Sequence, residues 1–430
     1  MRHLLTFKAL LRTMEHLVLA YAAVIFSQRR SAGLLCLAAS FLQPNVGLTG
    51  VFTALCAMAF STTLRFSFAD PSVPLYNSVL VGLSLGALFH FDGTLVLVAA
   101  LAAGLTVVTT AVAGAVLARW ERLPLLSLPF VLVGLTLALA TSHWEQLTVA
   151  LPGPIVSLPL PWFADAFLTA LGATFFSPEP LAGLLVFAAL IHTSPNLAAL
   201  GLLGFSVGHL LFQALGTDPT PLLVSYAGFN FILAAMATGG VFVVPGLPAS
   251  ALAALAAALA ALFAAATQTL FHPLGLPPLA LPFLLATLIL LAALRHREAT
   301  ACPWLALERP DLPERSYERA MMALRRNGDR DSTPLAPPFL GAWEVYQGFD
   351  DRHTHQGPWR HAIDFFITQE GRSFTGNGNE TRNYLSFDLP VKSPAEGWVV
   401  AARDDLPDQR PGEMDLINNW GNYVVLRLVT

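Results

Sequence analysis

Charged side chains are scarce in this sequence. Only 12% of its 430 residues are Asp, Glu, Lys or Arg, against roughly 25% in a typical soluble domain. Between residues 123 and 294 there is no Lys or Arg at all. The acids in that stretch are Glu145, Asp165, Glu179 and Asp218. Water could not solvate so apolar a surface, whereas lipid tails can cover it, so the composition predicts a polytopic membrane protein.

Other absences narrow the function. The three cysteines, Cys36, Cys56 and Cys302, show no paired spacing, which argues against a structural disulfide or a cysteine-based metal site. No Gly-x-x-x-x-Gly-Lys-Ser/Thr loop occurs, so ATP-driven pumping is disfavoured. Few acids lie in the apolar region, which disfavours proton or sodium coupling. A net charge of -4 argues against a nucleic-acid partner, and passive flux is the remaining interpretation.

Composition divides the chain into three regions. Residues 1–295 form a membrane domain whose apolar runs, from about residue 14, could supply about ten helices of about 20 residues each. Charge returns in 296–340, which predicts a linker with one short amphipathic helix over 316–326. Residues 341–430 alternate apolar and polar side chains between turn signals, which predicts a β-rich soluble domain.

Three motifs recur in the same order in two halves of the membrane domain. The motif Leu-Pro-Leu-Leu-Ser-Leu-Pro-Phe at 123–130 returns as Leu-Pro-Pro-Leu-Ala-Leu-Pro-Phe at 276–283, with 276 − 123 = 153. The other matched positions are Asn77 with Asn230 (230 − 77 = 153) and the Pro-Asn pairs at 44–45 and 195–196 (195 − 44 = 151). The near-constant spacing predicts a duplication, with repeats at about 14–145 and 150–295.

The duplication bears on topology. About ten helices in two copies gives five per copy, and an odd number places the second copy upside down in the bilayer. Inverted repeats of this kind hold the solute path near the midplane, between the halves. Basic residues cluster at the N-terminus, between apolar runs of the first half and at Arg295. By the positive-inside rule we expect both chain ends in the cytoplasm.

The paired motifs resemble those of the urea transporter family over about residues 14–295. That family carries a Leu-Pro-x-x-Thr-x-Pro-Phe signature and a Gly-aromatic-Asn turn in each half. The resemblance implies an all-α polytopic fold of two inverted five-helix repeats with paired pore half-helices, in a bacterial inner membrane. It also implies a passive channel for urea or a similar small neutral amide-like solute, without a cofactor for transport, assembled as a trimer.

The resemblance further implies which residues contact the solute. They are four slot aromatics and four residues of the signatures: Phe26, Tyr76, Phe176, Phe229, and Ser127, Phe130, Ala280, Phe283. A flat aromatic slot admits a planar amide, and oxygen acceptors must replace its lost hydrogen bonds to water, or passage costs several kcal/mol. Asn77 and Asn230 are expected to cap helix ends at breaks.

The signatures depart from the family pattern at the positions that matter for chemistry. Ser127 and Ala280 stand where the family has Thr, and Ala23 and Ala173 stand where it often has Gln or Glu. Side-chain acceptors at the centre are therefore depleted. Either backbone carbonyls suffice, or the solute is not urea.

The C-terminal region resembles the opening half of a lysostaphin-type zinc peptidase. The segments that carry this resemblance are 361–365, 393–400 and 421–425. It implies His361 and Asp364 as zinc ligands, and as an alternative function a membrane-anchored peptidase acting on peptidoglycan. The His-to-Asp spacing is three rather than the usual four, and no His-x-His follows before Thr430. We therefore expect zinc only if the domain is complete, and no peptidase activity in this chain.

Overall fold

A computed structural model describes residues 2–428 of the chain, apart from positions 69, 120–122, 143, 151–152, 154–157, 215–220, 298–300, 307–309, 328–334, 414 and 416. The chain divides into two compact units, Met1–Gly328 and Asp329–Thr430. The first unit is helical, and the second contains short β-strands.

The described part of the first unit contains twelve apolar helices and one polar helix. The apolar helices are α1 (Arg2–Ala23), α2 (Arg30–Phe41), α3 (Pro44–Thr63), α4 (Ser72–Leu88), α5 (Gly93–Arg119), α6 (Leu128–Thr141), α7 (Trp162–Ala173), α8 (Pro180–Thr193), α9 (Pro195–Ala214), α10 (Pro221–Met236), α11 (Leu247–Phe271) and α12 (Leu281–Arg295). The polar helix is α13 (Pro313–Asn327). A π-helical turn at Ala237–Val241 extends α10, and a 3-10 turn at His272–Leu274 extends α11.

Helix length separates two classes within the described residues. Four segments are long and apolar enough to cross a membrane, and they are Pro44–Thr63, Gly93–Leu117, Pro195–Ala214 and Leu247–Leu274. They come as two corresponding pairs, α3 with α9 and α5 with α11. Most of the other apolar helices have only 10–17 residues, as expected where broken helices line a cavity rather than face lipid along their whole length.

The two halves repeat each other in backbone geometry. α1 to α6 correspond in order to α7 to α12, so each half has six helical segments, while the count of five membrane-crossing helices per half stays a prediction. Phe26 and Phe176 both have positive φ, at 59° and 58°. Leu126 and Leu279, two residues before the last helix of each half, have φ of 50° and 48°. A bulky residue rarely adopts this conformation, so its recurrence at matched positions reflects the duplicated sequence.

Asn77 ties the start of α6 to α4. Its Nδ2 donates to the Leu126 carbonyl at 3.2 Å, and its Oδ1 accepts from the Phe130 amide at 3.0 Å. The Phe130 amide lies in the first turn of α6, where N–H groups have no partner within the helix. The Tyr76 hydroxyl also donates to the Leu126 carbonyl, at 2.7 Å. A fully buried carboxamide therefore satisfies the helix break, as expected for a cap.

Asn230 makes the same bridge in the second half. Its Nδ2 donates to the Leu279 carbonyl at 3.1 Å, and its Oδ1 accepts from the Phe283 amide at 2.9 Å. Phe229 stands in the place of Tyr76 and has no hydroxyl. Among the side chains that the structure describes, Asn230 is thus the one that donates a hydrogen bond to the Leu279 carbonyl.

Glycines allow the first two helices of each half to touch. A Cβ on Gly33 of α2 would lie 2.0 Å from the Val18 carbonyl oxygen of α1, and one on Gly183 of α8 would lie 1.8 Å from the Leu168 carbonyl oxygen of α7. Real contacts of this kind are far longer, so only glycine permits the approach. The matched contacts set the packing of α1 on α2 and of α7 on α8.

The second unit contains four short strands among its described residues. They are β1 (Glu344–Gln347), β2 (Asp364–Phe366), β3 (Gly397–Arg403) and β4 (Tyr423–Leu428). β1 pairs antiparallel with β2, and β3 pairs antiparallel with β4, each with one irregularity in register. Turns occupy much of the rest of the described residues, so the region contains β-structure in two separate two-stranded sheets.

Gly183→Ala should lower the apparent melting temperature of the detergent-solubilised protein. The methyl group would push α7 and α8 apart, and such overpacking typically costs about 1–3 kcal/mol. Gly114→Ala is the matched control, because its Cβ would meet only Leu125, at 3.9 Å, and alanine favours a helix interior. Equal melting temperatures for the two variants would contradict the close contact.

Asn77→Ala and Asn230→Ala should both destabilise the protein, and Asn230→Ala should do so more. Each leaves a buried amide unpaired, at about 1–3 kcal/mol, and Asn230→Ala also strips the helix-break carbonyl that Tyr76 still satisfies in the first half. Thermal unfolding of both, beside the exposed Thr136→Ala on α6, measures the difference. A larger loss for Asn77→Ala would refute this account of the bridges.

Candidate functional site

A cavity of about 720 Å³ lies in the first unit and is walled by both halves. The structure places in its wall every residue that the sequence assigns to the pore: Phe26, Tyr76, Ser127, Phe130, Phe176, Phe229, Ala280 and Phe283. Ala23 and Ala173 line it as well. Residues far apart in sequence thus share one space, while their contact with a solute stays a prediction.

A tight turn brings one aromatic ring from each half into the wall. After α1 the Phe26 amide donates to the Ala23 carbonyl at 3.0 Å, and after α7 the Phe176 amide donates to the Ala173 carbonyl at 3.0 Å. Both phenylalanines have a positive φ, which strains the backbone. Such strain persists only where the surrounding contacts hold the residue in place. The same turn therefore fixes the aromatic position and leaves a small alanine three residues before it.

The aromatic rings pack edge to face. Phe26 contacts Phe242 with ring centres 6.2 Å apart and planes at 90°, and Phe130 contacts Phe176 at 6.1 Å and 81°. Edge-to-face pairs of this kind add about 0.5–1.5 kcal/mol beyond area burial. These contacts therefore fix the orientation of the rings, as a slot that selects solutes by shape requires.

Ser127 lines the cavity at the start of α6. It is the N-cap residue of α6 with φ −88° and ψ 23°, and Ala280 caps α12 with φ −92° and ψ 14°. The Ser127 side chain makes no cap hydrogen bond, and its buried Oγ has no protein partner among the described atoms. A buried hydroxyl normally finds a partner, and this one has none among the described protein atoms, while Ala280 has no hydroxyl.

The cavity is not symmetric along its length. It follows the first signature from Leu123 to Ser127, but only Ala280 and Phe283 of the second signature reach it. Its charged lining residues, Arg29, Asp70, Asp311 and Arg315, lie outside the buried set that includes Ser127 and Phe130. The charges therefore mark a solvent-facing mouth, and the signature residues mark the interior.

Sequence reasoning missed part of this wall. Pro310, Asp311, Leu312 and Arg315 line the cavity, although this stretch reads as linker from composition. The amphipathic pattern predicts a helix here, and the structure has α13. The pattern carries no information on where the helix packs, because its partners come from distant segments.

The predicted zinc ligands have different neighbours in the second unit. The Asp364 Oδ2 lies 3.2 Å from Nε2 of His355 and accepts from Gln347 at 3.0 Å. The His361 Nε2 instead accepts from Nε of Arg360 at 2.9 Å. Within the described ranges, no three His, Cys, Asp or Glu side chains gather in a way that could hold a metal ion.

Comparison with known proteins agrees with the geometry of the first unit. The family model described as urea transporter matches residues 14–295. Urea transporter 1 of Capra hircus and urea transporter 1 of Ovis aries are each 26% identical to this chain over 285 residues, covering 62% of this chain and 73% of the relative. The family match ends before the C-terminal unit, and no finding supports the peptidase resemblance there.

A family match over most of the chain, paired motifs in register and a cavity shared by both halves agree on one identity. This chain is an integral membrane protein of the urea transporter family, and it transports urea.

Proposed function

We propose that urea passes without energy coupling through the 720 Å³ cavity between the halves, and that the halves are inverted in the bilayer. The observation that carries the proposal is the shared wall, to which matched turns and matched helix starts contribute from both halves. Inverted repeats hold solute sites at such an interface.

The lining suits a flat, neutral, donor-rich molecule. Rings from both halves, including Phe26, Phe176 and Phe130, give the wall apolar side chains that offer a solute no hydrogen bonds. An amide that enters loses water and gains a partner only where the wall has oxygen or nitrogen. Ser127 is the buried side chain in the wall whose hydroxyl lacks a protein partner, so it is the side chain to test first.

The charged residues of the wall favour passive flux. The buried signature residues around Ser127 and Ala280 include no acid or base, whereas Arg29 and Asp70 lie at the exposed mouth. Ion-coupled transport commonly uses acids within the membrane. We extend the proposal to a trimeric assembly in a bacterial inner membrane with both chain ends in the cytoplasm, as the family resemblance and the distribution of basic residues suggest.

Stopped-flow light scattering on proteoliposomes tests the function. Vesicles with the protein should equilibrate urea much faster than empty vesicles, and faster than they equilibrate glycerol, which is not planar. Formamide and acetamide report how far the amide shape alone is recognised. Urea flux at the rate of empty vesicles would refute the proposal.

Ser127→Ala should slow urea flux by about tenfold, because an amide group left unpaired in a dry slot costs about 1–3 kcal/mol. Its melting temperature should stay unchanged, since the hydroxyl has no protein partner to lose. Ala280→Thr should raise the ratio of urea to glycerol flux by adding a second hydroxyl at the matched position.

Ser84→Ala is the control for both variants. The Ser84 hydroxyl is buried but donates to the Val81 carbonyl of its own helix, at 2.7 Å, and the residue is outside the described cavity lining. Its urea flux should equal that of the unmodified protein. If Ser127→Ala and Ser84→Ala behave alike, Ser127 is not on the path.

A further inference from the structure

The segment that follows the last membrane helix packs onto the pore unit through its backbone. The Val244 amide donates to the Trp304 carbonyl at 2.8 Å, and the Ala306 amide donates to the Phe242 carbonyl at 2.8 Å. These bonds form an antiparallel bridge beside the aromatic ring that contacts Phe26. The segment lies beyond residue 295, where the match to the family model ends.

Glu314 then fixes α13 against the start of α9. Its carboxylate accepts from the Ser194 hydroxyl at 2.7 Å, the Asn196 side chain at 3.0 Å and the Asn196 amide at 3.3 Å. Burial by itself would raise the pKa of Glu314, but the hydrogen bonds from Ser194 and Asn196 outweigh it and hold the pKa below its ordinary value. The group is therefore charged at neutral pH, and a helix N-terminus favours a carboxylate.

Arg315, the next residue, lines the mouth of the cavity. Its guanidinium is only loosely paired, with 3.8 Å between a terminal nitrogen and Asp311 Oδ1, a distance too long for a hydrogen bond. Both Asp311 oxygens are engaged elsewhere, by Arg319 at 2.6 Å and by the Leu312 amide at 2.7 Å. The N–H groups of Arg315 thus keep donor capacity toward the cavity.

We propose that Arg315 contacts the solute, donating hydrogen bonds to the carbonyl oxygen of urea and forming a loading site at one mouth of the path. The inference rests on the proposed function, because it takes the cavity as the path. Arg315 carries five N–H donors in a planar fork, which suits a planar carbonyl compound. The segment follows both repeats and occurs once, so this site belongs to a single mouth.

Such a site has a distinct kinetic signature. A shallow well outside the main barrier leaves the permeability at low concentration nearly unchanged, because the barrier top and the bulk solution still set it. The well instead fills as urea rises, and its depth sets the concentration at which flux reaches half its maximum. Removing Arg315 should therefore affect saturation and spare the limiting permeability.

The test is the concentration dependence of tracer urea flux in proteoliposomes. Arg315→Ala should raise the half-saturating concentration by about two- to tenfold, the range expected for one ordinary hydrogen bond, and leave permeability at low concentration within about twofold. Arg315→Lys, which keeps a donor, should give a half-saturating concentration between those of the unmodified protein and Arg315→Ala. Arg325→Ala, on an exposed part of the same helix, should match the unmodified protein.

Three results would overturn the inference while the proposed function stands. They are an unmodified flux that does not saturate, an unchanged half-saturating concentration in Arg315→Ala, and equal changes in Arg315→Ala and Arg325→Ala. Absence of urea flux in the unmodified protein would instead overturn the proposed function together with the inference. Melting temperatures of all variants show whether a change reflects lost folding.

Discussion

The rest of the pore depends on one interaction, the bridge that a buried asparagine makes between two helices in each half. A helix that begins inside an apolar region exposes N–H groups that neither lipid nor packed side chains can satisfy. Asn77 and Asn230 satisfy one such amide and one carbonyl each. They thereby stabilise the starts of α6 and α12, whose first residues line the cavity.

This constraint explains why the halves agree in backbone and differ in side chains. The positive-φ turns and the asparagine bridges are nearly superimposable in their angles and distances. The side chains at the neighbouring matched positions differ, since Ser127 corresponds to Ala280 and Tyr76 corresponds to Phe229. Arg29 is exposed, whereas Glu179 at the matched position (179 − 29 = 150) is buried. The positive-φ turns and the two asparagines have the same structural role in both halves, and the lining side chains do not.

Much of the frame could be predicted from sequence because it depends on local signals. The repeated proline motifs and the asparagines 153 residues apart (230 − 77 = 153) predict where helices break and which residues meet. The number of helical segments is harder to predict from the sequence, because alanine- and leucine-rich runs merge and do not mark where one helix ends and the next begins. The sequence predicts five membrane-crossing helices per half together with a pore half-helix, and the described structure has six helical segments per half.

Tertiary contacts account for what sequence could not predict. The position of α13 is set by the capping of α9 by Glu314 and by the bridge at Phe242, and the first of these joins residues 120 positions apart (314 − 194 = 120). In the second unit, Asp364 meets His355 rather than His361, because the turn between the two histidines determines which one faces the strand. Motif spacing does not encode either choice.

The division between frame and lining has a consequence for how such a pore can change over evolutionary time. The Ser127 hydroxyl bonds to no described protein atom, and Ala280 has no polar side-chain group to lose, so neither side chain contributes a hydrogen bond to the scaffold. A substitution at either position leaves the helix-start bonds of Asn77 and Asn230 in place. Along the path proposed above, the lining of one half can therefore change in evolution while the asparagine bridges of both halves are retained.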